Sequence, residues 1–269
     1  MLKNASGIRR FLLRYFSDMH FVIPLINFFG LEIAYLIYPP VIYGAGLVVI
    51  GLIIFFILRN KAGDSPHTFA LMFSAILLII THYVFLVFLE NAFVAHGFIA
   101  FTSLILLALL ESIHERPYRE LSPSESNYAL QNIIGYCNLA VFYFLSVDLF
   151  YLDLQTNQKF LLFLVIFTLG SVLLSYSALD IFNLINWRAA SFISIMTLAL
   201  GEMFWAAKLL PVSVYSQGAF TTLFYYATLG LSRHYLLFGR EELTRKVVSR
   251  YLIISLSGFF LIIATSRWS

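Results

Sequence analysis

Long apolar runs broken by short polar punctuation organise this chain. Nine windows carry almost no charge: 20–38, 41–58, 68–89, 92–110, 129–150, 160–178, 189–210, 217–238 and 250–267. Each is close to the roughly 20 residues that a helix needs to cross a hydrocarbon core about 30 Å thick. A helix satisfies its own backbone hydrogen bonds in lipid, which an open strand cannot do. The pattern therefore predicts an all-α polytopic transmembrane helix bundle of about nine spans. Spans one and two are separated only by a link containing Pro39 and Pro40, and spans three and four only by Glu90-Asn91-Ala92. Links this short predict antiparallel hairpins. The longest connection, 111–127, holds two prolines and many charges and reads as an exposed loop, too short to be a domain.

Composition agrees with a lipid-solvated chain. Of 269 residues 61% are hydrophobic and 12% charged, with 28 phenylalanines and a mean hydropathy of +0.87, which excludes an ordinary globular domain. Residues 1–19 form a separate amino-terminal segment, with 20–269 as a single bundle. Within it, Ile8, Phe11, Leu12, Tyr15 and Phe16 recur at helical spacing, largely apart from Arg9, Arg10 and Arg14. That is the pattern of a basic amphipathic helix on an anionic membrane surface, or of a basic leader that sets orientation, rather than of a cleavable signal.

The placement of basic residues orients the spans. With the amino terminus in the cytoplasm, thirteen Lys and Arg fall in inner segments: Lys3, Arg9, Arg10, Arg14, Arg59, Lys61, Arg116, Arg119, Arg188, Arg240, Arg245, Lys246 and Arg250. Two, Lys159 and Arg267, fall in outer ones. This asymmetry follows the positive-inside rule and puts the carboxyl terminus outside a cytoplasmic (plasma) membrane, with a bacterial or archaeal inner membrane favoured by the compact loops. It also gives the net charge of +3 a topological role, so the lipid bilayer is the expected partner and nucleic acid is not. The lone Cys137 excludes an internal disulfide and packs as a small hydrophobe.

Ionisable residues inside spans are the candidates for chemistry. Glu32, His82, His96, Asp148 and Glu202 fall in the outer halves of their spans, with Glu90 and Lys208 near outer ends. Lys208 is six residues beyond Glu202, about 240° around the helix, so the two do not stack and Lys208 is expected to snorkel to the interface. Polar stripes suggest three inward faces: Thr221, Tyr225, Thr228 and Ser232; Asn132, Tyr136, Tyr143 and Ser146; and Ser191, Glu202 and Trp205. The same stripes would also serve as interhelical glue.

Motifs narrow little further. The chain has no HExxH, GxSxG, phosphate-loop or dinucleotide-binding pattern, and no lysine deep in the last two spans for a retinal Schiff base. No cofactor or resident metal is expected. Three functions compete. A solute transporter or channel-like protein with an ionisable site around Glu202 is favoured. A non-catalytic scaffold or assembly subunit comes second. Third is an intramembrane enzyme acting on a lipid or lipid-linked substrate, using Glu202, His82, His96 and Asp148 for acid–base chemistry or as metal ligands.

The topology has a direct test. In a Cys137→Ser background, a membrane-impermeant maleimide applied to intact cells should label Ser213→Cys, in the link between spans seven and eight. It should leave Ser65→Cys, between spans two and three, unlabelled until the membrane is opened.

Overall fold

The computed structural model describes residues 19–37, 39–59, 68–119, 126–156, 159–182, 184–239 and 244–266. The amphipathic segment 1–18, Lys61, Arg240, Glu241, Glu242 and Arg267 lie outside these. Among the described residues there is no strand and there are nine helices: α1 (Met19–Ile37), α2 (Pro39–Arg59), α3 (Thr68–Val87), α4 (Ala92–Arg119), α5 (Ser126–Gln155), α6 (Phe160–Asp180), α7 (Trp187–Lys208), α8 (Val214–Phe238) and α9 (Arg245–Thr265). Each covers one of the nine apolar windows. Six of them, α1, α4, α5, α6, α7 and α9, are long and apolar enough to cross a membrane, which fits an integral membrane protein. The apolar parts of α2 and α3 are shorter, 43–58 and 72–87. In α8 the apolar run is diluted by Gln217, Thr221, Thr222, Thr228, Ser232 and Arg233.

Local chemistry sets the ends. Pro39 and Pro40 occupy the first positions of α2, where the missing N–H costs nothing because it has no intrahelical partner anyway. Asn91 caps α4 by accepting the Val94 N–H at 3.2 Å, and Asn186 caps α7 by accepting that of Ala189 at 2.9 Å. Gly239 ends α8 at φ 80°, a conformation that side chains disfavour. The 111–127 connection departs from expectation, because α4 continues to Arg119 and α5 begins at Ser126. Hydropathy falls at Glu111, but a helix needs only its backbone bonds and one packed side to continue. Ile113 is buried and supplies that side.

The chain divides into two compact units, Met1–Cys137 and Asn138–Ser269, with the division inside α5. In the first, α1 lies against α2 and α4, α2 against α3, and α3 against α4, so the four helices close a ring. In the second, α6, α7, α8 and α9 pack in series. The carboxyl-terminal half of α5 joins them through rings: Phe142 lies edge-on to Phe167 of α6, Phe150 stacks on Phe204 of α7 at 4.2 Å, and Phe142 lies parallel to Tyr225 of α8 at 4.1 Å. Helices in lipid gain no hydrophobic drive toward one another, so close packing of this kind decides their arrangement.

Gly218 is one such close approach. A methyl group there would collide with Val147 Cγ2 and sit 3.4 Å from the Val147 backbone nitrogen. Val147 is 1% exposed and has no long side chain to swing aside. Gly218→Ala should therefore lower thermal stability, by about 1–2 kcal/mol after the gain in helix propensity. Gly51→Ala, with open space around its position, should leave the melting temperature unchanged or slightly raised in the same detergent.

Candidate functional site

The first unit holds the densest set of polar contacts. On α1 the buried positions His20, Ile23, Asn27, Leu31 and Ala34 recur at helical spacing and form the face that meets its neighbours. Helix α4 runs antiparallel beside it, so residues early in α1 meet residues late in α4. Three polar levels result. At one end His20 stacks on His114, ring centroids 4.5 Å apart and planes within 8°. In the middle the Asn27 amide donates to Ser103 Oγ at 2.9 Å, and its carbonyl oxygen accepts the Tyr83 hydroxyl of α3 at 3.0 Å. At the other end His96 Nδ1–H donates to Glu32 Oε2 at 2.6 Å. Tyr35 packs edge-on against the His96 ring at 5.5 Å. The middle level is sealed, with Asn27 fully buried, whereas the His96 side chain is 42% exposed and Glu32 20%.

Two of the residues placed by sequence at similar depth, Glu32 and His96, are thus brought together. His82 is buried elsewhere in the unit. Its Nδ1–H donates to the Leu78 carbonyl at 2.7 Å, one turn back in α3, and its ring stacks on Phe98 at 5.2 Å. Glu90 is exposed at the α3–α4 turn. Among the described residues no three His, Cys, Asp or Glu side chains converge on a point that could hold a metal, so the imidazole–carboxylate ligand set of the enzyme reading does not assemble there.

In the second unit the expected wet faces are arranged differently. Helix α7 buries Ala189, Ile193, Met196, Leu200, Phe204 and Ala207, and turns Ser191, Glu202 and Trp205 outward. Ser191, Glu202 and Trp205 do share a face, but it is the exposed one, because Phe204 is taken up between Phe150 and Phe167 on the opposite side. On α5, Asn132 and Tyr136 are exposed while Ser146, at a similar azimuth, is fully buried, and its neighbours along 144–150 are buried too. On α8 the Thr221 and Thr228 hydroxyls donate to carbonyls of their own helix, and Tyr225 lies flat on Phe142.

Asp148 is 3% exposed and its Oδ1 accepts no hydrogen bond among the described residues. Lys208 has partners within the protein. Its Nζ lies 2.8 Å from Asp153 Oδ2, at the end of α5, and 4.0 Å from the centre of the Phe160 ring. Asp153 could have been flagged as a carboxylate at a span end, five residues past Asp148. Asn27, Ser103, Tyr83, His20 and His114 are not among the sequence candidates, although Asn27 is an amide near the middle of an apolar window and His20 lies seven residues before it. With the geometry described, comparison with known proteins adds no assignment: no family model, no curated protein and no solved structure matches this chain.

The middle level can be tested by removing its hub. Asn27→Ala strips partners from both the Tyr83 and Ser103 hydroxyls and should cost about 1–3 kcal/mol. Ser103→Ala removes a single bond and should cost about 1 kcal/mol or less. Thermal melting of the two variants, purified side by side, checks the order.

Proposed function

We propose that this protein moves protons, alone or coupled to a solute, across the membrane through the α1–α4 pair of its first unit. The observation that carries this reading is the succession of polar levels along that pair: His20 with His114, then Asn27 with Ser103 and Tyr83, then Glu32 with His96. From His20 to Glu32 the helix rises about 18 Å, and from His96 to His114 about 27 Å, against a hydrocarbon core of about 30 Å. Ionisable side chains stand at both ends and neutral hydrogen-bonding groups between them. In this reading the Glu32–His96 pair takes up or releases protons at the extracytoplasmic side, the imidazole passing a proton to the carboxylate along their short bond. Water bridges the gaps between levels. The orientation, amino terminus inside a cytoplasmic membrane, comes from the distribution of Lys and Arg and is part of the proposal.

A scaffold role is the second reading, favoured by the middle level, where Asn27 satisfies both Ser103 and Tyr83 as structural glue would. The two readings differ in what the outer pair is for. In liposomes carrying an internal pH dye and poised with a potassium diffusion potential, the wild type should conduct protons. Glu32→Gln and His96→Ala should fall to the level of protein-free vesicles while melting as the wild type does. Flux that never exceeds empty vesicles, or that survives both substitutions, overturns the transport reading. Loss of stability in both variants, without a change in flux per folded molecule, assigns the pair to the scaffold.

A further inference from the structure

Helices α6 and α7 leave a groove of about 220 Å³ on the second unit, lined by Leu164, Thr168, Thr197, Gly201, Glu202 and Trp205, with Leu198 at its edge. Its walls are apolar apart from one carboxylate and two hydroxyls. Glu202 is exposed and makes no hydrogen bond or ion pair among the described residues. The cation nearest along the helix is already engaged, because Lys208 is held by Asp153 and the Phe160 ring. Glu202 lies six residues before it, about 9 Å deeper along the axis. There an ionised carboxylate facing lipid is costly unless a cation meets it.

The rest of the lining is suited to such a cation. Trp205, 59% exposed, is one turn from Glu202 and offers an indole face to a positive charge. Thr168, Thr221, Thr222 and Thr228 donate their hydroxyls to carbonyls of their own helices. Thr197 does not: it is 4% exposed, and its hydroxyl has no partner among the described residues. Among the described residues no basic side chain lines the groove. We infer that the α6–α7 groove binds the primary ammonium group of an amphiphilic alkyl amine that enters sideways from the bilayer.

The ammonium donates to the Glu202 carboxylate and lies against the Trp205 ring, and the Thr197 hydroxyl, whose oxygen is enclosed as it stands, becomes a second acceptor when its side chain turns into the groove. The groove is smaller than the roughly 300–1,000 Å³ of pockets that enclose a drug-sized ligand, so it takes the headgroup and first carbons while the tail stays in lipid beside Leu164 and Leu198. A headgroup that also carries phosphate is disfavoured, because Glu202 repels it and no Lys or Arg in the lining receives it. This site does not depend on the α1–α4 pathway, and its failure leaves that proposal standing.

The test uses the full chain with Trp187→Phe and Trp268→Phe, which leaves Trp205 as the sole tryptophan, in nanodiscs of phosphatidylcholine, a lipid with no primary amine. Dodecylamine should shift the Trp205 emission saturably. Dodecyltrimethylammonium, which keeps the charge but has no N–H, should bind more weakly, and dodecanol should give no saturable response. Glu202→Gln should weaken dodecylamine by about tenfold or more, the equivalent of 1.4 kcal/mol. Thr197→Val, which keeps the shape of the side chain, should weaken it by a smaller factor. Phosphatidylethanolamine added to the discs should not compete. Should Glu202→Gln fail to fold, Thr197→Val and the comparison of amine with alcohol still decide. Equal binding to Glu202→Gln, an equal response to dodecanol, or competition by phosphatidylethanolamine overturns the inference. So does a Glu202-dependent dimer of the wild type that shows no amine response, which would assign the carboxylate to a partner helix.

Discussion

Inside a bilayer, apolar side chains gain nothing by leaving their surroundings, since lipid tails are as oily as leucine. Which face of a helix turns inward is then decided by shape and by a few directional contacts. In the second unit the decision falls to a set of rings. Phe204 stacks on Phe150 at 4.2 Å and on Phe167 at 4.1 Å, and Phe167 meets Phe142, which lies parallel to Tyr225. Four helices, α5 to α8, are tied by this one assembly. Once Phe204 is seated, the opposite side of α7 faces out, and Glu202 and Trp205 go with it. The position of the carboxylate is a by-product of where the phenylalanine packs.

The first unit is built by a different means. There the Asn27 amide donates to Ser103 and its carbonyl oxygen accepts from Tyr83, joining α1, α4 and α3 at a fully buried residue. A buried amide satisfied on both sides holds helices at fixed rotation, because turning any of them breaks a bond. That rotation keeps Glu32 and His96 face to face nearer one end of the pair and His20 against His114 at the other. The hydrogen-bonded middle and the ionisable ends therefore belong to one geometric arrangement, although only the ends can change charge.

Much of this was legible in the sequence, and what was not has a common cause. Each of the nine apolar windows became a helix, since length and hydropathy report directly on what a bilayer accepts. Pro39 and the short link through Asn91 marked boundaries through backbone chemistry that acts locally. That Glu32 and His96 lie at one level was also readable, because a span boundary fixes how far along the helix a residue lies. Azimuth was not readable. Ser191, Glu202 and Trp205 were correctly placed on one face, but periodicity does not say whether a mixed face looks in or out when both environments are apolar. For the same reason Asn132 and Ser146 share a stripe yet differ in burial. The extension of α4 to Arg119 was hidden because hydropathy records where lipid ends, not where a helix ends.

Helix α9 stands apart from this interlocking. None of its described residues is buried, and it leans on α8 through Tyr251 against Gly230, Leu223 against Gly258, and a Ser266–Ser216 hydroxyl contact of 2.8 Å. It touches the earlier elements through α8, as the last in the series. It follows α5 to α8 in chain order, and none of the rings that tie those four helices together comes from it. The ring assembly is complete without any side chain of α9, so α9 docks onto a surface whose packing does not depend on it.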